Sequence, residues 1–244
     1  MIKFFRRIRQ NLLSEGKTGK YLKYALGEII LVVIGILIAL GINNWNEQSK
    51  IKSEQTQLLN SIKADLKADI KMLNDFLAKT KERQQILFAE SEKISDPSFA
   101  SDSIISFVQN EVFIYFEDFN GFNNNTYNSA KSSGKIEIIA DTIKRVLYDL
   151  SVEQERASNT EAKYYDVLLK SAINLNEQYP LNLPFSYVKN GPVNDLMWSN
   201  ANKKDLALRL NSWGTSKANL YRLRIFIFED LLGKTQSILD LMEK

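Results

Sequence analysis

"EIILVVIGILIALGINNWNEQ", residues 28–48, decides how this chain is read. From Ala25 to Ile42 there are 18 residues with a single charge, Glu28. As a helix rising 1.5 Å per residue they span about 27 Å, close to the hydrocarbon thickness of a bilayer. A core helix of a soluble domain keeps a polar face at 3.6 spacing, and Ile29 to Ile42 has none. A cleavable signal is the competing reading, because the uninterrupted apolar run is only 14 residues and Ala39-Leu40-Gly41 is a small-x-small triplet. The length of the basic leader argues against cleavage. The expected organisation is a basic cytoplasmic leader over 1–24, a transmembrane helix over 25–45 and an extracytoplasmic domain over 46–244.

Charge gives the span a direction. Residues 1–24 hold seven Lys/Arg against one acid, Glu15, so they carry +6 and the remaining 220 residues carry −3 of the chain's net +3. Positive charge is sparse just after the run, where Lys50 and Lys52 come first. Cytoplasmic flanks hold the excess of Lys and Arg, which puts the N-terminus inside and, in a bacterium, the bulk of the chain in the periplasm. The acidic body offers no nucleic-acid groove.

Within the run Glu28, Val32, Gly35, Ala39 and Ile42 share one helix face. Gly35 and Ala39 form a small-xxx-small pair that lets two helix backbones approach in lipid. Two readings of Glu28 stand side by side: it turns inward in a homo-oligomeric span, or it lies within a turn of the surface and reaches water. Trp45 suits the outer headgroup layer as an interface anchor. In the leader Phe4, Phe5, Ile8 and Leu12 cluster on a helical wheel, as in a helix lying on an anionic leaflet; a plain topology signal accounts for them equally.

Cysteine and histidine are both absent. That removes the thiol nucleophile, the usual neutral-pH base and the commonest metal ligand, and argues against an enzyme. Several strings resemble catalytic motifs and fail. Ser132-x-x-Lys135 and Lys17-Thr18-Gly19 fit two acylating-serine motifs, but the intervening one is missing and the membrane separates them. Gly16-Lys17-Thr18 and Gly233-Lys234-Thr235 end like phosphate loops without the earlier glycine. Asp118-x-Asn120 opens like a calcium loop, but Phe122 stands at its third ligand position. No catalytic, cofactor or metal residues and no small-molecule substrate are expected.

The strings "FFRRIRQNLL", "GKTGKYLKYALGEIILVVIGILIAL" and "INNWNE", with "TYNSAKSSGKIEII" further on, resemble a family of single-span inner-membrane proteins common in Bacteroidota, the domain of unknown function family 6090. The resemblance runs from Met1 to about Glu47 and again from Thr126 to Ile139. It implies an inner-membrane protein and supplies no catalytic residues.

The rest of the chain reads as helical, all-α overall, with an antiparallel bundle following the span. Prolines are confined to Pro97, Pro180, Pro184 and Pro192. Leu59, Ile62, Leu66, Ile70, Leu73 and Leu77 mark a coiled-coil-like helix from Asn46 to Ser95, which Ser95-Asp96-Pro97 ends. A short helix is expected over Asp102–Phe116, then a turn with N-cap residues at Asn123–Asn125. A long helix follows from about Ala140 to Glu177, buried through Ile143, Leu147, Leu150, Tyr164, Val167 and Leu168. The last runs from near Asn202 to Met242, with a break at Gly214 and a stripe of Leu220, Leu223, Ile227, Leu231, Ile238 and Leu241. "VFIYF" is the one strand candidate.

Phe113, Tyr115, Phe116, Phe119, Phe122 and Tyr127 crowd into fifteen residues. They either plug the bundle or, meeting Tyr179, Phe185, Tyr187, Trp198 and Trp213, line a cage for a ligand or partner. The leading expectation is a non-catalytic, membrane-anchored interaction protein that forms homo-oligomers or joins a larger membrane-protein complex. The alternative is a ligand-binding sensor with that aromatic site.

Overall fold

The computed structural model describes residues 18–112, 114, 117–181, 186–189 and 191–243. Most of the basic leader, as well as Phe113, Tyr115 and Phe116, lies outside them, and with these most of the strand candidate. The described residues are mostly helical, without a strand among them. Six α-helices appear: α1 (Thr18–Ser95), α2 (Ile104–Asn110), α3 (Asn125–Ser132), α4 (Asp141–Gln178), α5 (Pro192–Trp198) and α6 (Lys203–Glu243). Single 3-10 turns precede α2 (Ser101–Ser103) and α4 (Lys135–Ile138).

The chain divides into two compact units, Met1–Gln57 and Leu58–Lys244. In the first, everything described belongs to α1. No proline interrupts this helix from Thr18 onward, and it stops where expected. There the Asp96 carboxylate accepts the Ser98 backbone N–H at 2.7 Å, a local bond that competes with helix continuation one residue before Pro97.

The second unit hides its apolar side chains in two clusters. One gathers Ile62, Leu66, Leu73 and Leu77 of α1 with Leu147, Leu150 and Ala157 of α4 and Phe228 and Leu231 of α6. The other gathers Phe107 and Val108 of α2, Leu168 to Leu175 of α4, Trp198 of α5 and Leu206 to Leu220 of α6. Each fully buried large side chain contributes about 1.5–3 kcal/mol of transfer free energy. Between α4 and α6, Asn174 pairs with Arg209, Glu161 with Arg224 and Glu153 with Lys234, so numbers fall along one helix as they rise along the other. Lys67–Glu243 and Lys81–Glu229 relate α1 to α6 in the same sense.

Five expectations need correction. The helix expected over Asp102–Phe116 ends at Asn110, where the Glu111 N–H closes on the Phe107 carbonyl. Gly214 does not break α6; a glycine inside a helix weakens it by about 1 kcal/mol, which tertiary packing outweighs. The helix α5 went unanticipated, although Gly191, at φ 89°, and Pro192 at the first helical position announce it. On α4, Tyr164 and Val167 are exposed; the buried line passes through Glu161, half-buried Tyr165 and Leu168 instead. On α6 Leu220 and Leu231 are buried as expected, but the rest of the buried line runs through Arg224, Phe228, Thr235 and Leu239, leaving Leu223, Ile227 and Ile238 half-buried and Leu241 exposed.

Candidate functional site

Two features stand out, and they oppose each other in polarity. The first is the apolar stretch of α1. Every large side chain from Ile29 to Ile42 is exposed, between 47% and 68% of its surface. Val32, Gly35, Ala39 and Ile42 lie open on their face and Glu28 is partly covered. Trp45 is 72% exposed. The length and apolarity of this helix suffice to cross a membrane, and none of its most apolar 18-residue window is buried by the rest of the chain. Water-exposed apolar surface of this extent marks a surface that another apolar phase covers.

The second is a set of polar groups inside the helical unit. Asp69 occupies the α1 stripe between Leu66 and Leu73, where the sequence pointed to Ile70, and is 1% exposed. One of its oxygens accepts the Asn123 backbone N–H at 2.7 Å and the Asn123 amide at 2.9 Å; the other accepts the Gln154 amide at 3.0 Å. Burial pushes its carboxyl above the ordinary 3.8, with the Asn123 and Gln154 hydrogen bonds pulling the other way. Nearby, Asp65 accepts the Thr126 N–H at 3.3 Å. The start of α3 is thus held by carboxylates of α1, whereas Asn124, expected as a capping side chain, makes no capping hydrogen bond.

Deeper along the unit, Arg224 donates from Nε to Glu161 at 3.0 Å and from Nη2 to the Glu117 carbonyl at 2.7 Å. Its guanidinium lies 4.9 Å from the centre of the Phe76 ring. Lys217 packs over Trp213 at 4.6 Å, and burial lowers its ammonium below the ordinary 10.5, opposed by the charge of Glu90. A search of the sequence for hydrophobic periodicity passes over all of these. The signal that finds them is a gap: positions 69, 161, 217 and 224 each fall one heptad from a buried apolar or polar neighbour on the same stripe.

The described aromatics expected at a cage are packed among themselves. Phe119 meets Phe228 at 4.7 Å and Phe122 at 4.9 Å between ring centres, and Phe76 meets Phe119 and Phe228 at 5.6 Å. Tyr127 is buried in the same cluster. Tyr179, Trp198 and Trp213 belong to the other cluster, and Tyr187 is fully exposed. Phe185 lies outside the described residues.

No curated protein and no solved structure matches the chain. One family profile does, over residues 28–169, from Glu28 in the apolar stretch through Asp69, Gln154 and Glu161 into the second half of α4. The chain belongs to that family, DUF6090, a family of unknown function.

Proposed function

We propose that this chain is a non-catalytic, single-span protein of a bacterial inner membrane, with its N-terminus in the cytoplasm and an antiparallel helical bundle in the periplasm. It acts by interaction, as a homo-oligomer or as a subunit of an envelope complex. The observation that supports this most is the uncovered apolar stretch from Ile29 to Ile42, which is stable only in lipid or against other helices. The basic leader supports the orientation, the Gly35/Ala39 face supports helix association in the span, and the lack of His and Cys supports a role without catalysis. A source in Bacteroidota follows from the resemblance to the family.

The test is chemical crosslinking in native membranes followed by identification of what is captured. A ladder of self-crosslinked species, or a reproducible heterologous partner lost when Gly35 and Ala39 are both changed to Ile, is the expected outcome. Recovery of monomer alone contradicts the proposal.

A further inference from the structure

Within the helical unit, the end of α1 and the first half of α6 leave a partly open trough between them. It holds a space of about 160 Å³ beside Gly214 and a wider one of about 440 Å³ beside Ala207, and Ile94, Leu210 and Asn211 border both. From Ala218 to Lys203 it follows α6 for about 22 Å at the helical rise. The floor is apolar: Leu87 and Leu210 are buried, and Ile94, Phe99 and Ile104 are half-buried. Ser91, Asn211 and Thr215 stand exposed along a polar rim. Ala207, Gly214 and Ala218 line it from one face of α6. Small residues on a helix allow a neighbour to approach, yet here the gap stays open, since a Cβ added at Gly214 meets no atom within 4 Å. It stays open although alanine at that position would favour the helix.

The two ends differ in charge. Glu90 borders the Gly214 end. Lys203 and Lys204 border the Ala207 end, where α6 begins and its dipole is positive. Lys203 donates to Asp102 at 2.5 Å, whereas Lys204 is exposed and makes no ion pair among the described residues. We propose that the trough binds one long-chain carboxylate, a fatty acid, with its chain along the apolar floor toward Gly214 and its carboxylate at Lys204. An α-helix, about 10 Å across with its side chains, is too wide for the narrow end, whereas an unbranched hydrocarbon chain is not. Each methylene taken from water favours the bound state, and Glu90 at the far end disfavours the reversed orientation. The site uses none of the residues of the apolar stretch and stands whether or not the chain is anchored as proposed above.

Dodecanoate carrying a diazirine at its far end is the probe, and the full chain in lipid nanodiscs is the sample. After irradiation and digestion, mass spectrometry finds label on residues 87–91 and 214–218, and this label saturates and is displaced by plain dodecanoate. Dodecanol, which lacks the charge, displaces it about fivefold less well. Gly214→Leu fills the narrow end and weakens uptake there by about tenfold. Lys204→Glu, at an exposed position, weakens it by about fivefold and carries the test should the Gly214 variant fail to fold. Label confined to the apolar stretch, label beside Gly214 that does not saturate, equal displacement by dodecanol, or undiminished uptake in Lys204→Glu or in a folded Gly214→Leu overturns the assignment.

Discussion

The two units of this chain dispose of polarity in opposite ways. From Ile29 to Ile42 the helix α1 turns aliphatic side chains outward on every face. A few turns later the same helix places Asp69 at 1% exposure, and α4 and α6 bring Gln154, Glu161, Lys217 and Arg224 inside with it. The contrast teaches that hydrophobicity alone does not say which way a side chain faces. In the first unit the surroundings decide, since only lipid or another helix suits an all-round apolar rod. In the second unit packing decides, and a polar group is admitted wherever a partner is supplied.

That contrast breaks most visibly at Glu161. Glu161→Leu leaves the Arg224 guanidinium buried without its carboxylate and lowers stability by about 3–5 kcal/mol, read from thermal unfolding of the full chain in detergent. The double variant Glu161→Leu/Arg224→Met removes both charges and recovers most of the loss. Next comes Asp69→Ala, which strips Asn123 and Gln154 of their shared acceptor and costs about 2–3 kcal/mol.

Asp69→Asn is gentler, because the Gln154 amide can reverse to present its oxygen, and it sharpens the comparison through pH. Burial raises the Asp69 carboxyl, so the folded state keeps a proton that the unfolded chain has released. The stability this confers is complete below 3.8 and is lost as pH climbs through the raised value; Asp69→Asn flattens that decline. Lys217 behaves in reverse. Its ammonium is lowered by burial, so its contribution is present above 10.5 and is lost as pH falls through the depressed value, and Lys217→Met flattens the alkaline rise in stability. The smallest effect belongs to the surface pairs: Lys67→Ala and Lys81→Ala, each removing an exposed partner of α6, change stability by about 0.5 kcal/mol or less.

Much of the architecture was legible because it follows from breakers and periodicity. The end of α1 at Ser95 is written in local chemistry, Asp96-Pro97, and α4 begins at Asp141, one residue from the expected Ala140. The stripes on α4 and α6 were legible only to within a residue, for one reason. Glu161 and Arg224 stand on the buried line, and a reading that counts apolar residues steps around them onto Tyr164, Val167, Leu223 and Ile227. Ile70 displaced Asp69 in the same way. The pocket that Leu87, Phe107, Val112 and Leu210 line was not legible at all, since segments far apart in the sequence, from α1, α2 and α6, come together to form it.

The account rests on the apolar stretch of α1 lying in lipid with the helical unit on the far side. The absence of cysteine permits a direct measurement: single cysteines introduced as Ser14→Cys, Ile36→Cys and Ser237→Cys, probed with a membrane-impermeant maleimide on intact and permeabilised spheroplasts. The account predicts that Ser237→Cys labels from outside, Ser14→Cys only after permeabilisation, and Ile36→Cys only in detergent. Labelling of Ile36→Cys in intact membranes, or of Ser14→Cys and Ser237→Cys from the same side, contradicts it.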